Sequence, residues 1–314
     1  MLLIALPRFN WGDLPQPLNN FVGEKPFDIE QYEKYVKYFR GDKNLADELE
    51  GPFSYRPLVP LLASLLPLEP LTSINLVNMF FLTLGLIYLI KLQLKLGFNE
   101  KEIIITGLIF TISFPLFYYT TSGYIDASLI GIMLLSNYYL MTNRYSLFIL
   151  LFTLGIFIKE TIVILLPVST VYYLMKEKTR IKFVKISIPI ILYLIIVGVI
   201  RNLAPQKEIY IWKPSYDILY YNILRIKTYI TFILTLGVPG LLSFYIVITE
   251  KRENIPKEIF YPLLTGIAFS ILLWIYSLFA AYSDGRQLWT SYVFAVPLTS
   301  YLFASWSKHL DKVR

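Results

Sequence analysis

The chain has 314 residues, of which 56% are hydrophobic and 17% aromatic, and it carries a formal net charge of +7. Soluble domains are about 45–50% apolar, and several stretches here approach the ~20 apolar residues that a membrane-spanning helix requires, so the sequence predicts an all-α polytopic membrane protein. The basic residues lie between apolar segments, which excludes a nucleic-acid-binding face, and the absence of cysteine with a single histidine, His309, excludes disulfides and cysteine- or histidine-based metal sites.

The first 70 residues are predicted to form an external or interfacial first loop region. Residues 1–6 are apolar but too short to span a membrane, which favours a start truncated within a missing first helix. Residues 27–40 are predicted to be helical, because apolar side chains recur there at helical spacing and Asp28 suits an N-cap. Residues 52–63 form a proline-rich apolar run, which is expected to lie at the interface or to re-enter the membrane.

Residues 71–306 are predicted to form a transmembrane helical domain with about nine spans, or ten with the missing first helix. The spans are predicted at residues 71–91, 103–121, 125–141, 146–158, 161–175, 183–201, 228–248, 259–280 and 288–304.

Lysines and arginines concentrate in short loops that alternation of the spans places on one face. The positive-inside rule makes that face cytoplasmic, with residues 307–314 as a cytoplasmic tail and residues 7–55 outside. The basic residues concerned are Lys91, Lys95, Lys101, Arg144, Lys176, Lys178, Arg180, Lys182, Lys185, Lys251, Arg252, Lys257, Lys308, Lys312 and Arg314.

The stretch from Tyr145 to Met175 is predicted to be a helical hairpin, because both of its ends adjoin cytoplasmic charge. Its only polar break is Lys159-Glu160-Thr161. Each arm has about 13–15 residues, roughly 20 Å of helix against a hydrocarbon core of ~30 Å. Lys159 and Glu160 are therefore expected at membrane depth, where charges must pair with each other or line an outward-open cavity.

Five short motifs in this order resemble the GT-C superfamily of polytopic glycosyltransferases, which includes protein O-mannosyltransferases and aminoarabinose transferases. No glycine-rich phosphate loop or nucleophile elbow supports a soluble-enzyme chemistry instead. The motifs are Asp28 with Tyr32, Ser54-Tyr55-Arg56-Pro57-Leu58, Gly123-Tyr124-Ile125-Asp126, Lys159-Glu160-Thr161 and Ser283-Asp284-Gly285-Arg286.

The resemblance implies a polyprenyl-phosphate-linked sugar donor, an external active site in the cell membrane, and transfer with inversion by a carboxylate base in the first external loop. Asp28 is the expected base, with Asp13, Glu24 and Glu30 as rivals, and Asp126 and Glu160 are expected as supporting catalytic acids. Arginine matches phosphate oxygens bidentately. The expected substrate-binding residues are Tyr55, Arg56, Lys159, Asp284 and Arg286.

Each of these residues also has a structural interpretation. Asp28 and Asp126 suit helix caps, Tyr55 with Arg56 suits an interfacial anchor, and Asp284 with Arg286 suits an ordinary turn. Lys159 and Glu160 suit a structural ion pair. Arg201 is expected only to flank a solvated loop.

Two other classes of function stay open on the sequence alone. One is a polytopic transporter or lipid flippase, and the other is a non-catalytic membrane subunit of a surface assembly. The acceptor, which is a protein, a lipid or a glycan, is not specified. Carboxylates suit Mg or Mn, so a divalent cation at Asp28, Asp126 and Glu160 is an alternative, but no metal ligands are assigned.

Overall fold

Helices account for most of the computed structural model, which describes residues 26–120, 122–205, 207–210, 213–249, 255–281 and 285–313. Two short strands, β1 (Glu50–Gly51) and β2 (Lys207–Tyr210), pair in parallel. The α-helices are α1 (Phe27–Phe39), α2 (Leu58–Ser64), α3 (Pro70–Lys95), α4 (Glu100–Thr111), α5 (Phe114–Tyr119), α6 (Asp126–Met141), α7 (Tyr145–Ile158), α8 (Leu165–Lys176), α9 (Ile181–Leu203), α10 (Tyr216–Leu224), α11 (Ile226–Ile248), α12 (Lys257–Ala280) and α13 (Tyr292–Val313). Short 3-10 helices cover Lys43–Glu48, Phe53–Tyr55, Glu160–Ile164 and Arg286–Ser291.

Four helices within the described ranges, α3, α9, α11 and α12, are long and apolar enough to cross a membrane. The predicted count of about nine spans is therefore not confirmed. Residues 103–121 form no single span, because the backbone breaks between α4 and α5, where Pro115 lies in the first turn of α5 and cannot continue the preceding helix.

The first loop region contains the predicted helix, which is α1. Its buried face includes Ile29, Tyr32 and Val36, and it packs against α2 and α3. The capping interpretation of Asp28 is wrong: Pro26 is the N-cap, Asp28 lies inside the first turn, and no side chain caps the helix. The carboxylate is thus available for contacts outside its own helix.

The centre of the fold is the crossing of α3 and α6. Helix α6 is buried along almost its whole length, which is typical of a helix that is apolar on every side. A side chain at Gly131 would place its Cβ 2.2 Å from the carbonyl oxygen of Phe81, so the two backbones touch. Small residues permit such close approach between helices in membranes. The crossing fixes the start of α6 beside the start of α3.

The predicted hairpin is confirmed by a contact between the two ends of the segment. The ring of Tyr145, at the start of α7, lies 5.9 Å from that of Tyr173, near the end of α8. Lys159 therefore lies at the opposite end, where its extended backbone interrupts the helices. The 14 residues of α7 correspond to about 21 Å of helix.

Candidate active site

The deepest part of the site is an ion pair between Asp126 and Lys159. The Lys159 Nζ donates to Asp126 Oδ1 at 2.6 Å, and the two residues are only 7% and 4% exposed, respectively. Asp126 is the first residue of α6, and the N-cap is Ile125, so the capping interpretation of Asp126 is also wrong. The positive end of the helix macrodipole favours a carboxylate there. Lys159 reaches it from the tip of the hairpin.

The loop before α6 is attached to α3 by two buried asparagines. The Gly123 N–H donates to Asn75 Oδ1 at 2.9 Å, and the Asn78 amide donates to the carbonyl of Tyr124. Gly123 has φ +89°, and a Cβ at this position would lie 2.8 Å from a methyl carbon of Ile29 on α1. A glycine here therefore lets the Asp126 loop pack directly against the helix that carries Asp28.

Arg286 joins Asp28 to this pair. Its Nη2 donates to Asp28 Oδ2 at 2.8 Å, and its Nε lies 3.8 Å from Asp126 Oδ2, an ion-pair distance. Its guanidinium carbon lies 3.9 Å from the centroid of the Tyr124 ring, a cation–π contact. One arginine thus contacts two carboxylates and an aromatic face.

Gly285 explains how Arg286 reaches that position. Its φ is +76°, and a Cβ there would lie 2.5 Å from the carbonyl oxygen of Thr231 on α11. Only glycine adopts this left-handed conformation readily while its backbone packs so closely on a neighbour. Gly285 thus precedes the 3-10 helix that begins at Arg286, whereas Asp284, the other residue of the turn expected from the sequence, lies outside the described residues.

A third ion pair joins Arg56 to Glu160. The Arg56 Nε donates to Glu160 Oε2 at 2.9 Å, and its Nη2 donates to Glu160 Oε1, which makes the pair bidentate. The remaining Arg56 Nη1 donates to the Tyr32 hydroxyl at 2.7 Å. Burial raises the pKa of Tyr32, against the opposing effect of the Arg56 charge, so the phenol stays neutral near pH 7. Both sides of the Arg56 guanidinium are held.

A narrow cleft borders Glu160 on the side facing α9. Arg201, near the end of α9, lies across this cleft with its guanidinium carbon 5.7 Å from the centroid of the Tyr55 ring. Sequence reasoning assigned Arg201 to a solvated loop and missed this position. Its signal was a single cation in the last turn of a strongly apolar helix. The lining residues are Pro52, Tyr55, Ile156, Glu160, Val197, Ile200 and Arg201.

Six of the eight residues expected in the site lie in this charged cluster, in which ion pairs join four residues and the pair of Arg56 and Glu160 adjoins them through the Lys159–Glu160 peptide. The six are Asp28, Arg56, Asp126, Lys159, Glu160 and Arg286. Tyr55 lies beside the cluster in the cleft.

Several expected residues fall elsewhere. Asp284 and two of the rival bases, Asp13 and Glu24, lie outside the described residues. Glu30, the third rival, forms an ion pair with Lys34 at 3.0 Å on the exposed side of α1. Lys159 and Glu160 do not pair with each other; each has a partner on another element.

Each of the three acids in the cluster has its own cation. Asp28 bonds to Arg286, Asp126 bonds to Lys159, and Glu160 bonds to Arg56. No group of three or more metal-ligating side chains occurs within the described ranges. The cluster therefore contains three carboxylates and three cations, whose formal charges sum to zero.

A comparison with solved structures relates the fold to that of ArnT. The crystal structure of ArnT from Cupriavidus metallidurans in the apo state matches 99% of this chain with a TM-score of 0.59 and 14% identity. The chain spans 62% of the length of that ArnT chain. At this identity the likeness shows the fold alone: the architecture of this chain is similar to that of ArnT. No family model and no curated protein matches the sequence.

Proposed function

We propose that this protein is a membrane glycosyltransferase that moves a sugar from a polyprenyl-phosphate donor to an acceptor, with inversion, on the extracytoplasmic face. The observation that carries the proposal is the cluster of three ion pairs, whose members come from five separate parts of a helical membrane protein. Ionisable residues at membrane depth are costly and mark functional sites by default. ArnT, a GT-C aminoarabinose transferase, has the same fold.

Asp28 is the proposed general base. The acceptor hydroxyl loses its proton to the Asp28 carboxylate, and its oxygen forms the new bond to the anomeric carbon of the sugar. The bond from that carbon to the phosphate oxygen breaks, and the polyprenyl phosphate leaves with the electron pair. A phosphate is already a good leaving group, so a carboxylate base is the main requirement. The Asp28 side chain is 16% exposed to solvent, so an acceptor hydroxyl can reach its carboxylate.

Arginines are proposed to hold the donor phosphate. Arg286 faces the base directly at 2.8 Å, and its planar fork matches phosphate oxygens. Arg201 and Tyr55 border the cleft that leads to Glu160. Helix α9 supplies Arg201, and only 11% of its most apolar 18-residue stretch is buried within the protein. We therefore assign its apolar face and this cleft as the path by which a prenyl chain in the lipid brings the phosphate to the cluster.

Asp126, Lys159 and Glu160 are proposed to shape the field around the donor. Lys159 supplies positive charge beneath the leaving phosphate, while Asp126 keeps Lys159 and Arg286 oriented from 2.6 and 3.8 Å. Such preorganised charges stabilise developing charge without reorganisation. The proposed arrangement keeps residues 1–70 outside or at the interface, residues 71–306 in the membrane, and residues 307–314 in the cytoplasm.

The proposal is tested by transfer of labelled sugar from a panel of polyprenyl-phosphate monosaccharides by the purified protein. The wild type is expected to transfer or hydrolyse one donor, and Asp28→Ala should reduce the rate roughly 10²- to 10⁴-fold, the usual contribution of a general base. Glu30→Ala is the matched control, because Glu30 lies on the same helix but pairs with Lys34.

Two outcomes would contradict the proposal. Full transfer activity in Asp28→Ala, Asp126→Ala and Glu160→Gln would remove the cluster from the chemistry. A folded wild type that is inactive with every donor would favour the transporter or scaffold alternative, in which these charges form a substrate path or a docking surface.

A further inference from the structure

The six charged groups of the cluster have no net charge. Three carboxylates face three cations, and every group is engaged in an ion pair. An incoming anion that takes a hydrogen bond already used in one of these pairs therefore competes with the carboxylate of that pair. This inference rests on the proposed function, in which the anion is the donor phosphate. The geometry of the three ion pairs shows which carboxylate the phosphate displaces most easily.

The pair between Asp28 and Arg286 is the easiest to open. Arg56 and Glu160 share two hydrogen bonds, and Tyr32 holds the remaining side of Arg56. The side chains of Lys159 and Asp126 are only 8% and 6% exposed, and breaking a pair that deep leaves a buried charge. Arg286 and Asp28 share one hydrogen bond, with side chains 14% and 16% exposed.

Arg286 also keeps its place without Asp28. Its guanidinium lies 3.9 Å above the Tyr124 ring, and Asp126 lies 3.8 Å from its Nε. Its backbone follows Gly285, which packs against α11. These contacts come from elements other than α1. Asp28 can thus release the guanidinium while Arg286 stays in position.

We infer that Arg286 exchanges Asp28 for the phosphate group of the donor, and that Tyr124 is the positioning residue that holds Arg286 during this exchange. In the ligand-free protein Arg286 neutralises the carboxylate. When the phosphate takes the Nη2 hydrogen bond, Asp28 is released as a base at the moment when the donor is in place. No covalent bond changes in this step. Donor binding precedes acceptor activation, and a neutralised carboxylate becomes a base only beside its substrate.

The exchange predicts that removing the base strengthens anion binding. The test is the Kd of farnesyl phosphate, a short prenyl phosphate, for purified wild type and Asp28→Asn. The variant should bind about five- to tenfold more tightly, because the phosphate no longer competes with a carboxylate for a charged hydrogen bond of this exposure. Glu30→Gln removes the same charge from the same helix without touching Arg286, and it should bind like the wild type.

Two further probes identify what the site recognises. Farnesol, which lacks the phosphate, should show no difference between wild type and Asp28→Asn. Inorganic phosphate should show the same direction of change as farnesyl phosphate if the phosphate group alone drives the exchange, and no binding if the prenyl chain is also required. The result with inorganic phosphate separates a free anion from a lipid source, whereas the exchange itself is tested by the affinities for farnesyl phosphate.

Tyr124 variants test the positioning role. Tyr124→Leu should raise the KM for the donor several-fold, with a smaller change in kcat, because a cation–π contact of this kind contributes about a few-fold to tenfold in binding. Tyr124→Phe keeps the aromatic face and should restore the wild-type KM. A purely structural role for Tyr124 would lower the melting temperature in both variants and leave the KM unchanged, which would overturn its positioning role.

Equal or weaker binding of farnesyl phosphate by Asp28→Asn, at a wild-type melting temperature, would overturn the exchange. Should Asp28→Asn fail to fold, Asp28→Ala provides the same test: it also removes the carboxylate that competes with the phosphate, so its affinity should rise, and an unchanged affinity overturns the exchange. The role of Asp28 as the base of the proposed function fails separately, when Asp28→Asn retains full transfer activity whatever its affinity.

Discussion

Helix α3 contacts two buried polar regions, one near each end, and they are built differently. Near its start, Asn75 and Asn78 hold the loop that leads to Asp126 and the three ion pairs. Near its end, Gln93 is fully buried and donates to Thr106 of α4 at 2.6 Å and to Ser300 of α13 at 2.8 Å. The first region is charged and reaches the surface, whereas the second is neutral and closed.

The difference shows what helix packing requires and what it does not. Gln93 links three helices with neutral hydrogen bonds, so uncharged groups suffice to join buried helices in this protein. Buried ion pairs contribute little net stability, because desolvation offsets their attraction. The concentration of six charges at the other end therefore needs a reason other than folding, and binding an anionic substrate is the reason proposed above.

The largest effect expected on stability comes from breaking the deepest ion pair. Lys159→Met leaves Asp126 with only the more distant Arg286, at 3.8 Å, and should lower the free energy of unfolding by about 3–5 kcal/mol. Thermal unfolding in detergent or nanodiscs measures this. The double variant Asp126→Asn/Lys159→Met removes both charges and should recover most of the loss. A double variant no more stable than the single one would show that the pair itself stabilises the fold.

A smaller effect is expected at Tyr32. Tyr32→Phe removes the acceptor of the 2.7 Å hydrogen bond from Arg56 and leaves a buried charged donor unsatisfied, at a cost of about 1.5–3 kcal/mol. Tyr35→Phe is the control, because Tyr35 lies on the same helix and donates to the carbonyl of Ser54 instead. If the two variants melt alike, Tyr32 has no special link to the charged region.

The neutral region should respond less and without loss of activity. Gln93→Leu removes two neutral hydrogen bonds, but Thr106 and Ser300 keep bonds from their hydroxyls to backbone carbonyls of their own helices. The expected cost is about 1–2 kcal/mol, with unchanged sugar transfer. A melting curve and a transfer assay on the same sample measure both quantities. Loss of transfer in a folded Gln93→Leu protein would remove the contrast between the two regions.

The smallest effect is expected for charges outside both regions. The Lys34 Nζ lies 3.0 Å from a carboxylate oxygen of Glu30 and 3.0 Å from one of Glu48, and both glutamate side chains are about half exposed. Solvent screens such pairs, so Lys34→Gln should change stability by less than about 1 kcal/mol. A larger change, measured by the same unfolding assay, would mean that exposed charge pairs also stabilise this protein. The charged cluster would then need no reason other than folding.

The sequence was most informative at the charges that interrupt the apolar run of the hairpin. Lys159 and Glu160 interrupt an apolar run of about 30 residues, and this break predicts both the hairpin and the functional interest of its tip. Helix α1 follows from the spacing of Ile29, Tyr32 and Val36. These signals are local, because the period of a helix and the cost of a charge in lipid depend on neighbouring residues alone.

The partners of the charges could not be predicted, because they depend on how distant elements cross. Lys159 bonds to Asp126 rather than to its neighbour Glu160, since α6 packs against the hairpin, as at Gly155 of α7, where a Cβ would lie 3.3 Å from a methyl carbon of Ile132. Arg201 was missed for the same reason. The span count was not confirmed, and one reason is that the described part of the segment predicted at residues 103–121 breaks before Pro115 into two short helices.

The most direct test of the central claim is the rate of sugar transfer by the double variant Asp126→Asn/Lys159→Met at a temperature where it is as folded as the wild type. If the charged cluster exists for chemistry, the folded variant should transfer labelled sugar from the polyprenyl-phosphate donor at least about 100-fold more slowly, the loss typical of removing a preorganised electrostatic contact. A folded double variant that transfers sugar at the wild-type rate would contradict the account, because the deepest charges would then serve neither stability nor catalysis.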